Sequence, residues 1–509
     1  MNSNKPSLPQ GTRDFNATTI RRRNYIFSIL KNIFEVYGFQ PLETPAMENL
    51  ETLMGKYGEE GDRLIFKVLN NGLNNEKNID KTKAGFEKLL EGKSTADITE
   101  RAMKYDLTIP FARYVAMNQH ELKQQFPFKR YQLQPVWRAD RPQKGRYREF
   151  TQCDADVVGT TSLFCEAELA NIYHLAFTKL GITSYELRIN SRKILAALAE
   201  TCGGKDKLVD ITTAIDKLDK IGLEKVKEEL VIRGLQQKQI DLIEQFLTIT
   251  GSNQEKIVAL NEMLGNNKLA AEGMKELAFV QNHALPETNL VFDFTLARGL
   301  NYYTGVIFEV KPPAEVTMGS IGGGGRYDDL TSLFGVDDIP GVGISFGIDR
   351  IYDVMEELKL FPEDLGVSTT ALFFYMGQKE IEIAFGVMQN LRKHGIACEI
   401  ILDEMKIAKQ FALAEKKKIP YAIIIGEKEI EFTFGIMQNL RNHGIACEMI
   451  LDEMKIAKQF ALAEKKKIPY AVIIGEKEIE QNYCQVKNLA TGEQHVVVVE
   501  NLVEFFEKK

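Results

Sequence analysis

The stretch KRYQLQPVWRADRPQKGRYREFTQCDADVVG, residues 129–159, limits what this chain can become more than any other. Tyr131, Leu133 and Val136 mark one strand, and Phe150 to Val158 alternate as a second. Between them, Ala139 to Tyr147 is basic and holds Pro142 and Gly145, as suits a hairpin tip. Side chains alternate along a strand, so Gln152, Asp154 and Asp156 share a face with Arg148 and Phe150. Carboxylates and an amide on the floor, with arginines in the loop, can hold an ammonium group beside phosphates. A lone basic hairpin can equally be a solvated surface feature with weak ion pairs. The neighbouring motifs have to decide between the two.

At 509 residues the chain exceeds one core, and three domains is the expectation. Hydrophobic and charged shares of 44% and 27% are those of a globular protein, and no 18-residue apolar run or signal-type segment is present. We therefore expect no membrane association and a cytoplasmic location. The six cysteines, 153, 165, 202, 398, 447 and 484, form no CxxC pair, and the six histidines form no HExxH, so no structural metal is expected. A net charge of −7 argues against a non-specific nucleic-acid coat but leaves room for a local basic site.

An amphipathic helix is predicted from about Thr18 to Tyr37, ending at Gly38, with a strand running towards Pro45. Residues 70–104 read as an exposed insertion with a short helix near Ala84–Leu90. In RAMKYDLTIPFARYVAMN, Asp106 and Thr108 precede a helix, where capping is the ordinary role, expected above all of Thr108. Residues 191–283 carry helical periodicity, few aromatics and repeated Gly breaks, the signs of an all-helical insertion. After it come FDFTLARGLNYYTGVIFEV (292–310), GGGGRYDDL (322–330) and GVGISFGIDRI (341–351). The glycine run lacks the GK[ST] ending of a phosphate loop.

Taken in order, these motifs resemble the three motifs of class II aminoacyl-tRNA synthetases. RADRPQKGRYREFTQCDADVVG, the DLTxPFARY form, the 292–310 string and the glycine run resemble the histidyl-tRNA synthetases in particular. The resemblance spans residues 8–430 and 481–509. It implies an α+β catalytic domain with an antiparallel sheet, a helical insertion and a C-terminal α/β anticodon-binding-like domain. The expected boundaries are 1–190 and 284–362 for the catalytic domain, 191–283 for the insertion and 363–509 for the last domain.

The resemblance also implies an activity: adenylation of histidine with ATP and Mg2+, then transfer to tRNA(His), by a homodimer. Arg138 is implied to grip the α-phosphate and the substrate carboxylate, Arg298 the α-phosphate, and Arg350 the γ-phosphate. Asp106, Thr108, Gln152 and Asp156 are implied to bind the histidine amino group, and Tyr303 and Tyr327 to surround the imidazole. Loop residues Arg141, Gln143 and Arg146 would meet the nucleotide or the tRNA acceptor end. Backbone around the glycines is expected to be flexible and close to substrate. Asn301 departs from the Asp usual in RGLDYY, which weakens any role for that position. A catalytically silent paralogue that regulates ATP phosphoribosyltransferase is the alternative. Such proteins usually lack the C-terminal domain and have eroded motifs, whereas Arg138, Arg298 and Arg350 are all present here.

The last third reads as βα units, and it is duplicated. Residues 386–431 recur as 435–480, shifted by 49, and 42 of the 46 positions are identical. The exceptions are Val387/Ile436, Lys393/Asn442, Ile400/Met449 and Ile423/Val472. Three of these are swaps that cores tolerate. The repeat units, about 382–430 and 431–479, are expected either to lengthen one sheet or to leave one copy as a loose subdomain.

Overall fold

Helix α1 (Ala17–Val36) starts where Asn16 accepts a hydrogen bond from the Thr19 amide at 2.9 Å. It buries Ile26, Leu30, Ile33 and Phe34, a stripe at helical spacing, and Gly38 turns the chain at φ +81°. The strand that follows, β1 (Gln40–Pro41), is shorter than the sequence suggests and ends well before Pro45. Three short strands, β2 (Met47–Asn49), β3 (Lys67–Val68) and β4 (Arg101–Met103), form a small separate sheet with order β2-β4-β3. A helix over Ile79–Leu90 and helix α2 (Thr108–Met117) complete this region.

The hairpin is real and long. Strands β5 (Phe128–Trp137) and β6 (Glu149–Val158) pair antiparallel, with Arg130 opposite Asp156 and Gln134 opposite Gln152. Behind them lies α3 (Phe164–Lys179). The sheet is completed by β7 (Glu186–Ser191), β8 (Leu290–Phe292), β9 (Val306–Lys311), β10 (Gly322–Tyr327) and β11 (Gly341–Gly347). Its order is β1-β5-β6-β11-β10-β9-β7-β8, antiparallel except for the two edge pairs. Tyr173 of α3 is buried against Phe346, and its hydroxyl donates to the Gly323 and Ser345 carbonyls at 2.9 and 3.0 Å. Helix packing and backbone hydrogen bonds thus fix β10 and β11, the strands under the site. Between β7 and β8 the chain is helical from Arg192 to His283, with Leu198, Ile211, Leu230, Ile243, Leu260 and Leu277 buried among the helices. After β11 comes α4 (Ile348–Glu357).

The structure describes residues 6–55, 57–93, 95–297, 302–362, 365, 369–424, 430–449, 456–466, 468–474, 478 and 481–508. These fall into two compact units, residues 1–362 and 363–509. No helix among the described residues is long and apolar enough to cross a membrane.

In the second unit, β12 (Ala371–Phe373), α5 (Gln378–Lys393), β13 (Cys398–Ile400), α6 (Ile407–Lys416) and β14 (Tyr421–Ile423) make a parallel sheet of order β13-β12-β14. Helices α7 (Ile430–Asn442) and α8 (Ile456–Lys465) and strand β15 (Tyr470–Ile473) repeat the pattern in part. Strand β15 then pairs with the C-terminal hairpin β16 (Tyr483–Asn488) and β17 (Gln494–Val498), followed by α9 (Leu502–Glu507). The duplication therefore does not lengthen one sheet; it yields two sheets of three strands each among the described residues. Cys398–Ile400 is a strand because β12 lies beside it, whereas its near-identical counterpart 447–449 has no such neighbour among the described residues and is not a strand.

Candidate active site

Helix α4 begins at a cluster that the sequence did not reveal. Arg13, in the early GTRDF string, and Arg23 of α1 both reach the Asp349 carboxylate, Arg23 at 2.7 Å. The other Asp349 oxygen accepts from the Thr151 amide of β6 at 3.1 Å. Arg13 also lies over the Tyr147 ring, 3.3 Å from its centroid. The N-terminal segment thereby clamps the hairpin loop and the start of α4 together. Arg350 follows Asp349 and points back across the loop, donating to the Gly145 carbonyl at 2.8 Å and the Ser320 carbonyl at 2.7 Å.

Over this framework lies a cleft of about 600 Å³, a size that suits small-molecule ligands. Its lining includes Arg138, Arg146, Arg350, Gln152 and Tyr303, with the bare backbone of Gly322–Gly324 as floor. The glycine run is a regular central strand, not the flexible backbone expected there. Its glycines serve close approach instead: a Cβ on Gly324 would come within 2.2 Å of the Gly343 carbonyl oxygen. The Arg138 guanidinium lies over the rings of Tyr105 and Phe150, 4.2 and 5.1 Å from their centroids, while its Nε donates to the Tyr105 carbonyl. Arg146 forms a half-exposed pair with Asp140 at 3.5 Å. Arg141 and Gln143 are exposed on the hairpin tip and do not line the cleft. Arg298, the remaining arginine singled out from the sequence, lies outside the described residues, as does Asn301.

Beneath the cleft sits a buried polar cluster. Asp156 pairs with Arg130 at 2.9 Å and accepts from the Tyr327 hydroxyl, and all three side chains are buried. Asp106 accepts from the Tyr57 hydroxyl at 2.9 Å and from the Ile109 amide at 3.1 Å. Asp106, rather than Thr108, therefore caps α2; Thr108 is the first helical residue and its hydroxyl meets Tyr302. Asp154 lies opposite Ser345, and burial pushes its carboxyl up to about 7 while Arg130 pulls the other way. Burial also raises Asp106 and Asp156, opposed by hydrogen bonds to both and by Arg130.

Three carboxyls thus share one buried guanidinium. Oδ2 of Asp106, Oδ1 of Asp154 and Oε1 of Gln152 are buried and have no hydrogen-bond partner among the described residues. Orphaned buried acceptors are costly, and these three ask for a ligand that donates N–H groups. The cleft is thus divided by chemistry. One end is lined by guanidinium groups and suits phosphates, and the other suits an ammonium or a protonated ring.

The comparisons point to one family. The family model for histidyl-tRNA synthetase matches residues 95–351, and the anticodon-binding-domain model matches twice, over 371–434 and 431–509. A histidine–tRNA ligase of Christiangramia forsetii is 51% identical over 424 residues, covering 82% of this chain and 92% of that protein. One from Flavobacterium johnsoniae is 49% identical over 442 residues, covering 83% and 93%. Among solved structures, histidyl-tRNA synthetase from Nostoc sp. PCC 7120 superposes with a TM-score of 0.67 at 28% identity, covering 99% of each chain.

Proposed function

The chain belongs to the histidyl-tRNA synthetase family, and from that premise we propose how its cleft ligates histidine to tRNA. The relatives carry the ligase name rather than that of a regulatory subunit, which favours catalysis over the silent alternative. A carboxylate oxygen of histidine attacks the α-phosphorus of ATP, the bond to the β-phosphate oxygen breaks, and pyrophosphate leaves. A hydroxyl of the terminal tRNA ribose then attacks the acyl carbon, AMP leaves, and the hydroxyl proton passes to solvent. Neither step requires a covalent enzyme intermediate; positioning and charge stabilisation suffice.

The observation that carries the site assignment is the set of unpartnered acceptors on Asp106, Asp154 and Gln152 beneath an arginine-lined cleft. In this reading Gln152 and Asp106 take the substrate ammonium, and Tyr303 flanks the imidazole. Asp156 is already neutralised by Arg130, so it orients Tyr327 as much as it binds substrate. Arg138, beside two rings, meets the α-phosphate and the carboxylate, and Arg146 and Arg350 meet the outer phosphates; the sequence resemblance assigns Arg298 to the α-phosphate as well. The exposed Arg141 and Gln143 are free to meet the acceptor end of tRNA. Glu309 lines the cleft, but its carboxylate already accepts from Ser320 and lies 3.6 Å from Lys311, so a Mg2+ would enter as the counter-ion of the ATP phosphates. That ion would supply charge neutralisation on the phosphates.

Homodimerisation and a cytoplasmic location complete the proposal; sedimentation at twice the mass of one chain tests the first. For the chemistry, histidine transfer to tRNA(His) should be readily measured for the parent. It should fall by about 10²–10³ in Arg138→Ala, the loss typical of one electrostatic stabiliser. An unchanged rate in that variant would remove Arg138 from the reaction.

A further inference from the structure

The two copies of the repeated strand share one strand's pairing capacity between them. Among the described residues β14 lies at the end of its sheet, bonded to β12 alone, and β15 lies at the end of the other, bonded to β16 alone. The edges they use are opposite. In β14 the Tyr421 amide donates to the Thr370 carbonyl and the Ile423 carbonyl accepts from the Phe374 amide, so residues 421 and 423 face β12. In the second copy the Pro469 carbonyl accepts from the Leu489 amide, so by alternation residues 471 and 473 face β16. Their counterparts, Ala422 and Ile424, face the open edge of β14. The edge that β15 gives to the hairpin is the edge that β14 leaves unpaired among the described residues.

The surrounding faces repeat the pattern. In the second copy Ile436 and Leu440 of α7 are buried with Cys484, Val486, Val497 and Leu502, and Tyr470 meets Phe505 and Phe506 edge-on. Their counterparts in the first copy, Val387 and Leu391, are only partly buried, and Tyr421 is 40% exposed. With one substitution in the strand and one in the helix stripe, the first copy carries the same seat, only partly covered by its own sheet.

We propose that this partly covered seat is a second docking site for the C-terminal hairpin and helix, residues 483–507, of the same chain. The second unit then exchanges between two packings. In one, β16 lies on β15; in the other, β16 lies on β14 in a five-stranded sheet of order β13-β12-β14-β16-β17, and the second copy is released. Both packings keep four strand pairings, and the exchange replaces Val472 by Ile423 in the register, a change of one methylene. The released copy regains chain entropy while α7 loses its cover, two terms of opposite sign.

Paired cysteines in the full chain test this. Val472 and Val486 are opposite in a non-hydrogen-bonded pair, where Cα atoms lie about 4.5 Å apart, within disulfide reach. V472C/V486C reports the first packing and I423C/V486C the second. In a glutathione buffer, peptide mapping should find both bridges within one chain, in yields within about tenfold of each other. Only the 472–486 bridge, or a 423–486 bridge found solely between two chains, would overturn the proposal. A chain lacking residues 426–474 runs from YAIII directly into GEKEIEQNYCQVK and can form only the second packing. It should fold and give the 423–486 bridge in full; failure to fold or to bridge would equally overturn it.

Discussion

Asp154 shares its strand face with Gln152 and Asp156, and strand alternation alone put it there in the sequence. Its weight in the site was not legible, because burial and the missing partner of Oδ1 depend on β11 and the tyrosines packed around it. Replacement by Asn should weaken histidine binding by about 1.5–3 kcal/mol, the range for a hydrogen bond to a charged group, as read by calorimetric titration. The same variant carries a pH signature. Without ligand, folded Asp154 keeps its proton up to about pH 7, whereas the unfolded carboxyl releases it near 3.8. Between those values the folded state binds more protons, so this group's contribution to stability falls as pH rises. Asp154→Asn removes that slope, and its denaturation midpoint should rise relative to the parent's between about pH 5 and pH 7. Gly343 is a second such residue, since a Cβ there would lie 1.9 Å from Oδ1 of Asp156. Gly343→Ala should cost roughly 1–3 kcal/mol in thermal unfolding and displace the Asp156–Tyr327 pair.

At the scale of elements, the periodicity of α1 and the alternation of the β5–β6 hairpin were enough to locate them, because each buries one face against a neighbour. The glycine run misled. The resemblance implied flexible backbone there, yet neighbours on both sides pair with the run and make it a strand. The clamp from Arg13 and Arg23 to Asp349 joins residues more than 300 positions apart, and no local pattern announces it. A similar long-range tie holds β10 to α3. Arg326 forms a buried ion pair with Glu166 through Nε at 2.5 Å and Nη2 at 2.8 Å. Arg326→Ala leaves the Glu166 carboxylate buried and unpaired, and urea unfolding of the first unit should lose about 3–5 kcal/mol. The repeat teaches the same lesson from the other side, since near-identical sequences at 398–400 and 447–449 differ in structure according to what lies beside them.

For the molecule as a whole, the residues that line the cleft all belong to residues 1–362, and the duplication lies wholly in 363–509. Amino-acid activation should therefore be indifferent to the extra copy, and the chain lacking 426–474 should match the parent in that half-reaction. The family and its architecture were legible because the motif strings are long and fall in order. The division of the last domain into two sheets was not, because it depends on which copy the hairpin chooses. With the substrate ammonium on the orphaned acceptors and the imidazole beside Tyr303 and Tyr327, adenylation in the arginine-lined cleft is confined to histidine. ATP–pyrophosphate exchange with each of the twenty amino acids in turn tests it most directly. Exchange with histidine alone, lost in Arg298→Ala with histidine binding largely kept, is the predicted result. Exchange with another amino acid, or none from folded protein, would contradict it.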